Sequence, residues 1–197
     1  MTHVQRGRVL SIQVGRVQPL MVGGRKLMSA MGKTAVPGPV QVGRLGLAGD
    51  EQSDLSVHGG LSKAVYALPA EHLLWWQTQR QAQGVTLLDE PLVPGNLGEN
   101  LSLEGLHETE VFIGDVLEFA QVSLRVTQPR EPCSKFCAVL GYPQAAKEMV
   151  QSGRSGFYLA VDRPGVLQPG EAFELVPGPR SISVRQALLH KAAKHAR

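Results

Sequence analysis

Apolar and polar residues alternate over short stretches along most of this chain. The stretches at 8–14, 40–44, 64–68, 111–119, 123–127, 157–161 and 172–176 read as strands, several with the two-residue period of a half-buried sheet. Glycines and prolines separate them, as turns do. Regular short strands with such punctuation predict a β-barrel or sandwich. Helical periodicity appears in three places: 69–83, 133–140 continuing at 143–152 after a Gly-Tyr-Pro break, and 184–196. The last has a short apolar stripe, Val184, Ala187, Leu188 and Ala192, fit to pack on the barrel or on a second subunit, so a homodimer is one expectation. Residues 113–119 (IGDVLEF) and 169–175 (PGEAFEL) echo one another as a turn closed by Gly and an acid, followed by a strand. Two similar hairpin turns account for the echo without duplication.

Bulk numbers narrow the class. The 197 residues favour one domain with room for a short appendage, and 43% hydrophobic content supplies an ordinary core. A net charge of +3, from 20 Lys+Arg against 17 Asp+Glu, is too mild to point to a nucleic acid polymer. No apolar run has the ~18 residues that a membrane span requires. The N-terminus lacks the charged start, apolar centre and cleavage site of a signal peptide. The two cysteines, four residues apart, do not form a disulfide framework. A cytoplasmic protein is expected.

Both cysteines lie in QPREPCSKFC, 128–137, where a strand turns into a helix. Cys133 stands between Arg130 and Lys135, and neighbouring cations favour a thiolate. A thiolate can serve as nucleophile, redox centre or soft metal ligand. Cys133 and Cys137 at i and i+4 share a helix face, yet two ligands do not make a zinc site. A second polar stretch, 46–72, carries Asp50, Glu51, Asp54, His58, Lys63, Glu71 and His72 among glycines. Gly59 and Gly60 after His58 let a backbone approach a ligand, and their N–H groups with Lys63 suit an anion. The acids match no EF-hand loop, and pairing with Arg44 and Lys63 is the simpler expectation. A third stretch, 91–106, reads as a loop in which Glu99 and Asn100 precede a strand and can orient a ligand.

The pieces GLAGDEQSD, VHGGLSKAVYALPAEHLLWW, PGNLGENL, IGDVLEF, VTQPREPCSKF and SGFYLAV come in an order that resembles MOSC-domain proteins, the YiiM-like branch in particular, across most of the chain. This family includes the C-terminal domain of molybdenum cofactor sulfurases. The resemblance implies a mostly β fold: a MOSC-type β-barrel with a few peripheral helices, over 1–178, and a short C-terminal helical tail over 179–197. Many members carry a three-helix extension there, so any role of that extension is in question for this chain.

The resemblance further implies binding of the molybdenum cofactor (molybdopterin), with the cysteine of the Pro-Arg-x-Pro-Cys motif, Cys133, as the metal ligand. Cys137 falls outside the motif. Arg130, Lys135, His58, Gly59, Gly60, Lys63, Glu99 and Asn100 become expected cofactor contacts, with Lys33 and Arg25 as further phosphate candidates. Cys133, His58 and Arg130 are the expected catalytic set. Related members reduce N-hydroxylated small molecules such as hydroxylaminopurines. The chain shows no flavin, nicotinamide or iron–sulfur spacing, so a separate electron-donating reductase is the implied partner. A carrier module for the cofactor or its sulfur, without turnover, is the alternative. A cofactor-free cysteine enzyme using Cys133 with His58 is a third.

Overall fold

The computed structural model describes residues 5–53, 59–85 and 91–195. In chain order the strands are β1 (Gln5–Val14), β2 (Gln18–Val22), β3 (Arg25–Ser29), β4 (Thr34–Ala35), β5 (Val40–Gly43), β6 (Gly46–Leu47), β7 (Val65–Pro69), β8 (Leu101–Glu104), β9 (Val116–Glu118), β10 (Ser123–Pro129), β11 (Phe157–Arg163), β12 (Gly165–Leu167) and β13 (Ala172–Val176). The helices are α1 (Glu71–Ala82), α2 (Ser134–Leu140), α3 (Ala145–Ser152) and α4 (Val184–His195).

The sheet runs β13-β9-β10-β11-β7-β8-β1, and β13 pairs back onto β1 to close a seven-stranded barrel. Its neighbours are antiparallel except β7 and β8, which run parallel and are connected through α1. The two echoing segments pair with each other as β9 and β13, Leu117 opposite Leu175 and Glu118 opposite Glu174. Strands β12, β5 and β6 make a small separate sheet, and β2 and β3 a hairpin. All seven expected strands are present, with one shortened. Val111 to Asp115 form a turn instead of strand, because Gly114 takes φ 95° and the Asp115 carboxylate accepts the Phe112 N–H at 3.0 Å. At the first helix Pro69 belongs to β7, opposite Leu103, and α1 begins two residues later.

The alternation along β7 divides the core in two. Val65 and Ala67 point into the barrel with Phe157, Leu159 and Leu124. Tyr66 and Leu68 point outward into a second apolar cluster with Trp76, Phe136, Leu140 and Met149, built by α1, α2 and α3. All five β7 residues are therefore buried, which is why this strand reads as a continuous apolar run. Helix α4 lies against β10 and buries Val184 and Leu188 on the barrel. Its start carries a reciprocal cap: the Ser183 Oγ accepts the Gln186 N–H at 3.2 Å and the Gln186 side chain accepts the Ser183 N–H at 2.9 Å.

Candidate functional site

A cleft opens on the outer face of the barrel wall, where β7 and β11 present Tyr66 and Tyr158 side by side, ring centroids 5.5 Å apart. The turn after β10 forms one rim. Pro129 ends β10 opposite Phe157, and Pro132 keeps Glu131 out of helical geometry. Cys133 follows as the residue before α2, with extended backbone (φ −145°, ψ 164°) and a side chain that does not cap the helix. Its sulfur lines the cleft. Gly141, at φ 86°, closes α2.

Arg130 fixes the chemistry of this rim. Only 3% exposed, it donates from Nη1 to the Glu131 carbonyl at 3.1 Å and from Nη2 to the Cys133 Sγ at 3.5 Å. Its guanidinium lies 4.5 Å from the Phe136 ring centroid and 5.9 Å from that of Tyr66. Burial acts to lower its pKa, but the Cys133 sulfur and the oxygens of Tyr66 and Tyr158 outweigh burial and hold the guanidinium charged, above its ordinary value. Among the described residues no carboxylate forms an ion pair with it. Burial also raises both phenols and keeps them protonated, and Tyr66 donates to the Ser155 carbonyl at 2.8 Å.

The opposite wall is anionic and already compensated. Asp50 accepts the Lys33 ammonium, the Gly15 N–H at 2.8 Å and the Asn100 amide at 2.8 Å. Asn100 also accepts the Tyr66 N–H at 3.1 Å, so it joins the start of β8 to β7 and Asp50 at once. Glu51 accepts the Val17 N–H at 2.7 Å and lies 3.7 Å from Arg16. Asp50 thus pairs with Lys33 and Glu51 with Arg16. Lys135 donates to Ser53 at 3.2 Å, and Lys63 sits over the Tyr158 ring at 5.6 Å.

Of the residues singled out in the sequence, Lys33, Gly59, Lys63, Asn100, Arg130, Cys133 and Lys135 share this cleft. Gly59 and Gly60 have φ 94° and 75°, a left-handed turn that glycine permits. His58 and Asp54 lie outside the described residues. Arg25 stands on the exposed β2–β3 hairpin, away from the lining. Lys33, a phosphate candidate, lines the cleft with its charge matched by Asp50 at 6% side-chain exposure for both partners. Glu99, expected as a direct contact, is fully buried behind the wall. Its Oε1 accepts the Gly95 N–H at 2.7 Å while Oε2 has no partner among the described residues, and burial pushes its carboxyl up to about 7. Gly95 must be glycine here, since a Cβ would stand 2.3 Å from the Lys33 carbonyl. Cys137 is turned away, its sulfur 3.6 Å from the Pro143 carbonyl.

Tyr66, Tyr158, Asp50 and Ser53 gained no specific site role from the sequence. The tyrosines had one available signal: each is the aromatic with a polar tip in an otherwise apolar strand. Behind Arg130 lies a buried polar cluster. Glu108 accepts from His72 Nε2 at 2.8 Å and from the Gly156 N–H at 2.7 Å, and the Gly156 carbonyl accepts the Arg130 N–H at 3.2 Å.

This barrel, with a cysteine and a buried arginine on one rim of an external cleft, is the architecture of a MOSC domain. The MOSC domain family matches residues 54–174, and the chain belongs to that family. The family is that of the C-terminal domain of molybdenum cofactor sulfurases, a cofactor-associated class. The chain is 36% identical to the uncharacterized protein YflK of Bacillus subtilis, over 93% of this chain and 80% of that protein. It is 33% identical to protein YiiM of Escherichia coli, over 90% of this chain and 76% of that one. A protein named as a reductase from Gibberella moniliformis is 31% identical over 88% of this chain, which corresponds to 30% of that longer protein. The crystal structure of YiiM from Geobacillus stearothermophilus superposes with a TM-score of 0.73 at 31% identity, covering 97% of this chain and 86% of that one.

Proposed function

We propose that the cleft binds the molybdenum cofactor, with Cys133 as the protein's metal ligand, and that the loaded protein reduces N-hydroxylated small molecules, hydroxylaminopurines among them. The observation that carries this reading is the Cys133 sulfur facing the cleft 3.5 Å from a buried arginine that no carboxylate pairs with among the described residues. The donor set fits the group. Among the described residues there is no cluster of three His, Cys, Asp or Glu that could hold a metal ion. A metal bound here must arrive with ligands of its own, and thiolate is a soft donor suited to a metal already in sulfur coordination.

When bound, the cofactor supplies two-electron removal of oxygen, R–NHOH + 2e⁻ + 2H⁺ → R–NH₂ + H₂O. The chain's part is binding and electrostatics. Cys133 anchors the metal, and Arg130 balances the negative charge on its sulfur. Lys63 and Lys135, with the N–H groups of Gly59 and Gly60, are assigned to the cofactor's phosphate. His58, next to Gly59, is assigned to the substrate side. Lys33 and Asn100, in the lining, hold Asp50 and the β7–β8 junction, and Glu99 acts one layer back, through the Gly95 turn. The electrons are assigned to a separate reductase, a reading supported by the relative named as a reductase, in which the matched region is 30% of a longer chain. No helix among the described residues is long and apolar enough to cross a membrane.

The test is molybdenum and pterin content of protein made in a host that synthesises the cofactor. Parent and Cys137→Ser are expected to carry both near stoichiometrically, and Cys133→Ser at least about tenfold less, the loss of one strong ligand. Parent protein without molybdenum would overturn the reading. Cofactor retained without reduction of an N-hydroxylated purine by a chemical electron donor would replace the reductase by a carrier.

A further inference from the structure

We infer that the C-terminal helix is a positioning element for the ligand loop and that it acts through Lys191, an inference that rests on the role proposed for Cys133. Helix α4 starts at the Ser183–Gln186 cap and is held on the barrel by Val184 and Leu188. Residue 191 continues that stripe, one turn further on the same face. The stripe therefore delivers an ammonium to the far end of β10 at a point where an apolar side chain would have been the simple continuation.

There Lys191 Nζ donates to Gln128 Oε1 at 3.1 Å and to Glu131 Oε1 at 2.5 Å. Gln128 and Glu131 flank Pro129 and Arg130, so the two bonds clasp both ends of the turn that carries the guanidinium. The second link is the Glu131 carbonyl, which accepts Arg130 Nη1 at 3.1 Å. The third is Arg130 Nη2 on the Cys133 sulfur at 3.5 Å. Three consecutive contacts thus run from the helix to the thiol. At the other end of the helix Arg185 Nη1 donates to the Val150 carbonyl at 2.7 Å, which ties α4 to α3 as well. The lysine and glutamate side chains of the first link are about one-third exposed (35% and 34%), so the link contributes little to overall stability and its effect falls on the loop.

The experiment uses the full chain in a Cys137→Ser background, so that Cys133 is the single thiol. The cofactor-free protein is alkylated with iodoacetamide at neutral pH, and the loaded protein is assayed for molybdenum retained after dialysis. Lys191→Ala is expected to lower the Cys133 alkylation rate about fivefold, because the cation beside the sulfur is no longer held there, and to lower retained molybdenum by a similar factor, the scale of one partly exposed ion pair. Lys191→Arg is expected to restore both to within about twofold, while the melting temperature of all variants stays within about 2 °C. Glu131→Gln is expected to move both readouts in the same direction as Lys191→Ala, and the double variant to fall short of the sum of the two, since the residues share one link. An unchanged alkylation rate in Lys191→Ala, or the same change in Lys194→Ala one turn away, overturns the inference. The alkylation arm needs no cofactor, so failure of the proposed function leaves it readable.

Discussion

Lys33 and Arg130 stand on opposite walls of one cleft, and both are almost fully buried, at 8% and 3% exposure. Lys33 meets a carboxylate, Asp50, which is itself held by Gly15 and Asn100. Arg130 meets a sulfur, a carbonyl and aromatic faces. A buried cation with a matched anion is complete in the free protein, and its charge is not available to a ligand. A buried cation that no carboxylate pairs with among the described residues still presents its charge, which is the condition for binding an anion. The difference between a structural and a binding cation here is the partner and not the burial.

The largest effect expected from breaking this contrast is on stability at Lys33. Lys33→Met leaves Asp50 buried without its counter-charge, at a cost of about 3–5 kcal/mol in urea unfolding. Lys33→Met with Asp50→Asn should regain most of that loss and retain bound molybdenum within about twofold, whereas Arg130→Met should lose cofactor about tenfold or more, as expected for removing a charged hydrogen-bond donor. Loss of cofactor from the double variant equal to that from Arg130→Met would abolish the distinction.

The two buried glutamates repeat the contrast with opposite charge, and pH separates them. Glu99 has an oxygen without a partner among the described residues, and burial raises its carboxyl from about 4.5 to about 7. Its protonated form stabilises the fold fully below pH ~4.5, and that contribution is lost as the pH rises through about 7, a change of roughly 3 kcal/mol. For Glu108 burial acts upward, but the His72 hydrogen bond, the charge of His72 and the Gly156 N–H outweigh it and hold the carboxyl below its ordinary value. Its contribution is present above that ordinary value and is lost as the pH falls through the lowered one. Unfolding free energies measured across this range should therefore lose the neutral-side slope in Glu99→Gln and the acid-side slope in Glu108→Gln. Identical pH profiles for the two variants would refute the assignment.

The smallest effect belongs to the surface. Arg125 and Asp162 form two 2.8 Å bonds between β10 and β11, with side chains 48% and 38% exposed. Arg125→Ala is expected to cost under about 1 kcal/mol in the same unfolding assay. A larger loss would show that geometry alone, without burial, makes a charge pair important in this protein.

Much of this organisation was legible along the chain. Each expected strand and helix exists, because a two-residue or 3.6-residue apolar period is a local consequence of burying one face. The β2–β3 hairpin was overlooked, although Gly23-Gly24, both at positive φ, is the turn that such a hairpin favours. The ordered motifs pointed to the cleft residues from three distant stretches. They did not reveal the partners of Lys33 and Glu99, because a side chain's surroundings depend on which group folds against it, Asp50 for Lys33 and the Gly95 N–H for Glu99.

The sequence by itself determined the family, through motifs ordered along most of the chain, and also the strand and helix periods, the Ser183–Gln186 cap and the thiol-bearing turn with its two prolines, each encoded within a few residues. Tertiary structure decided the rest. Closure of β13 onto β1, the outward turn of Tyr66 and Tyr158, the separation of Cys133 from Cys137 and the reach of Lys191 to Glu131 depend on distant segments meeting. Charge compensation and burial are properties of those meetings, so local pattern alone cannot assign them.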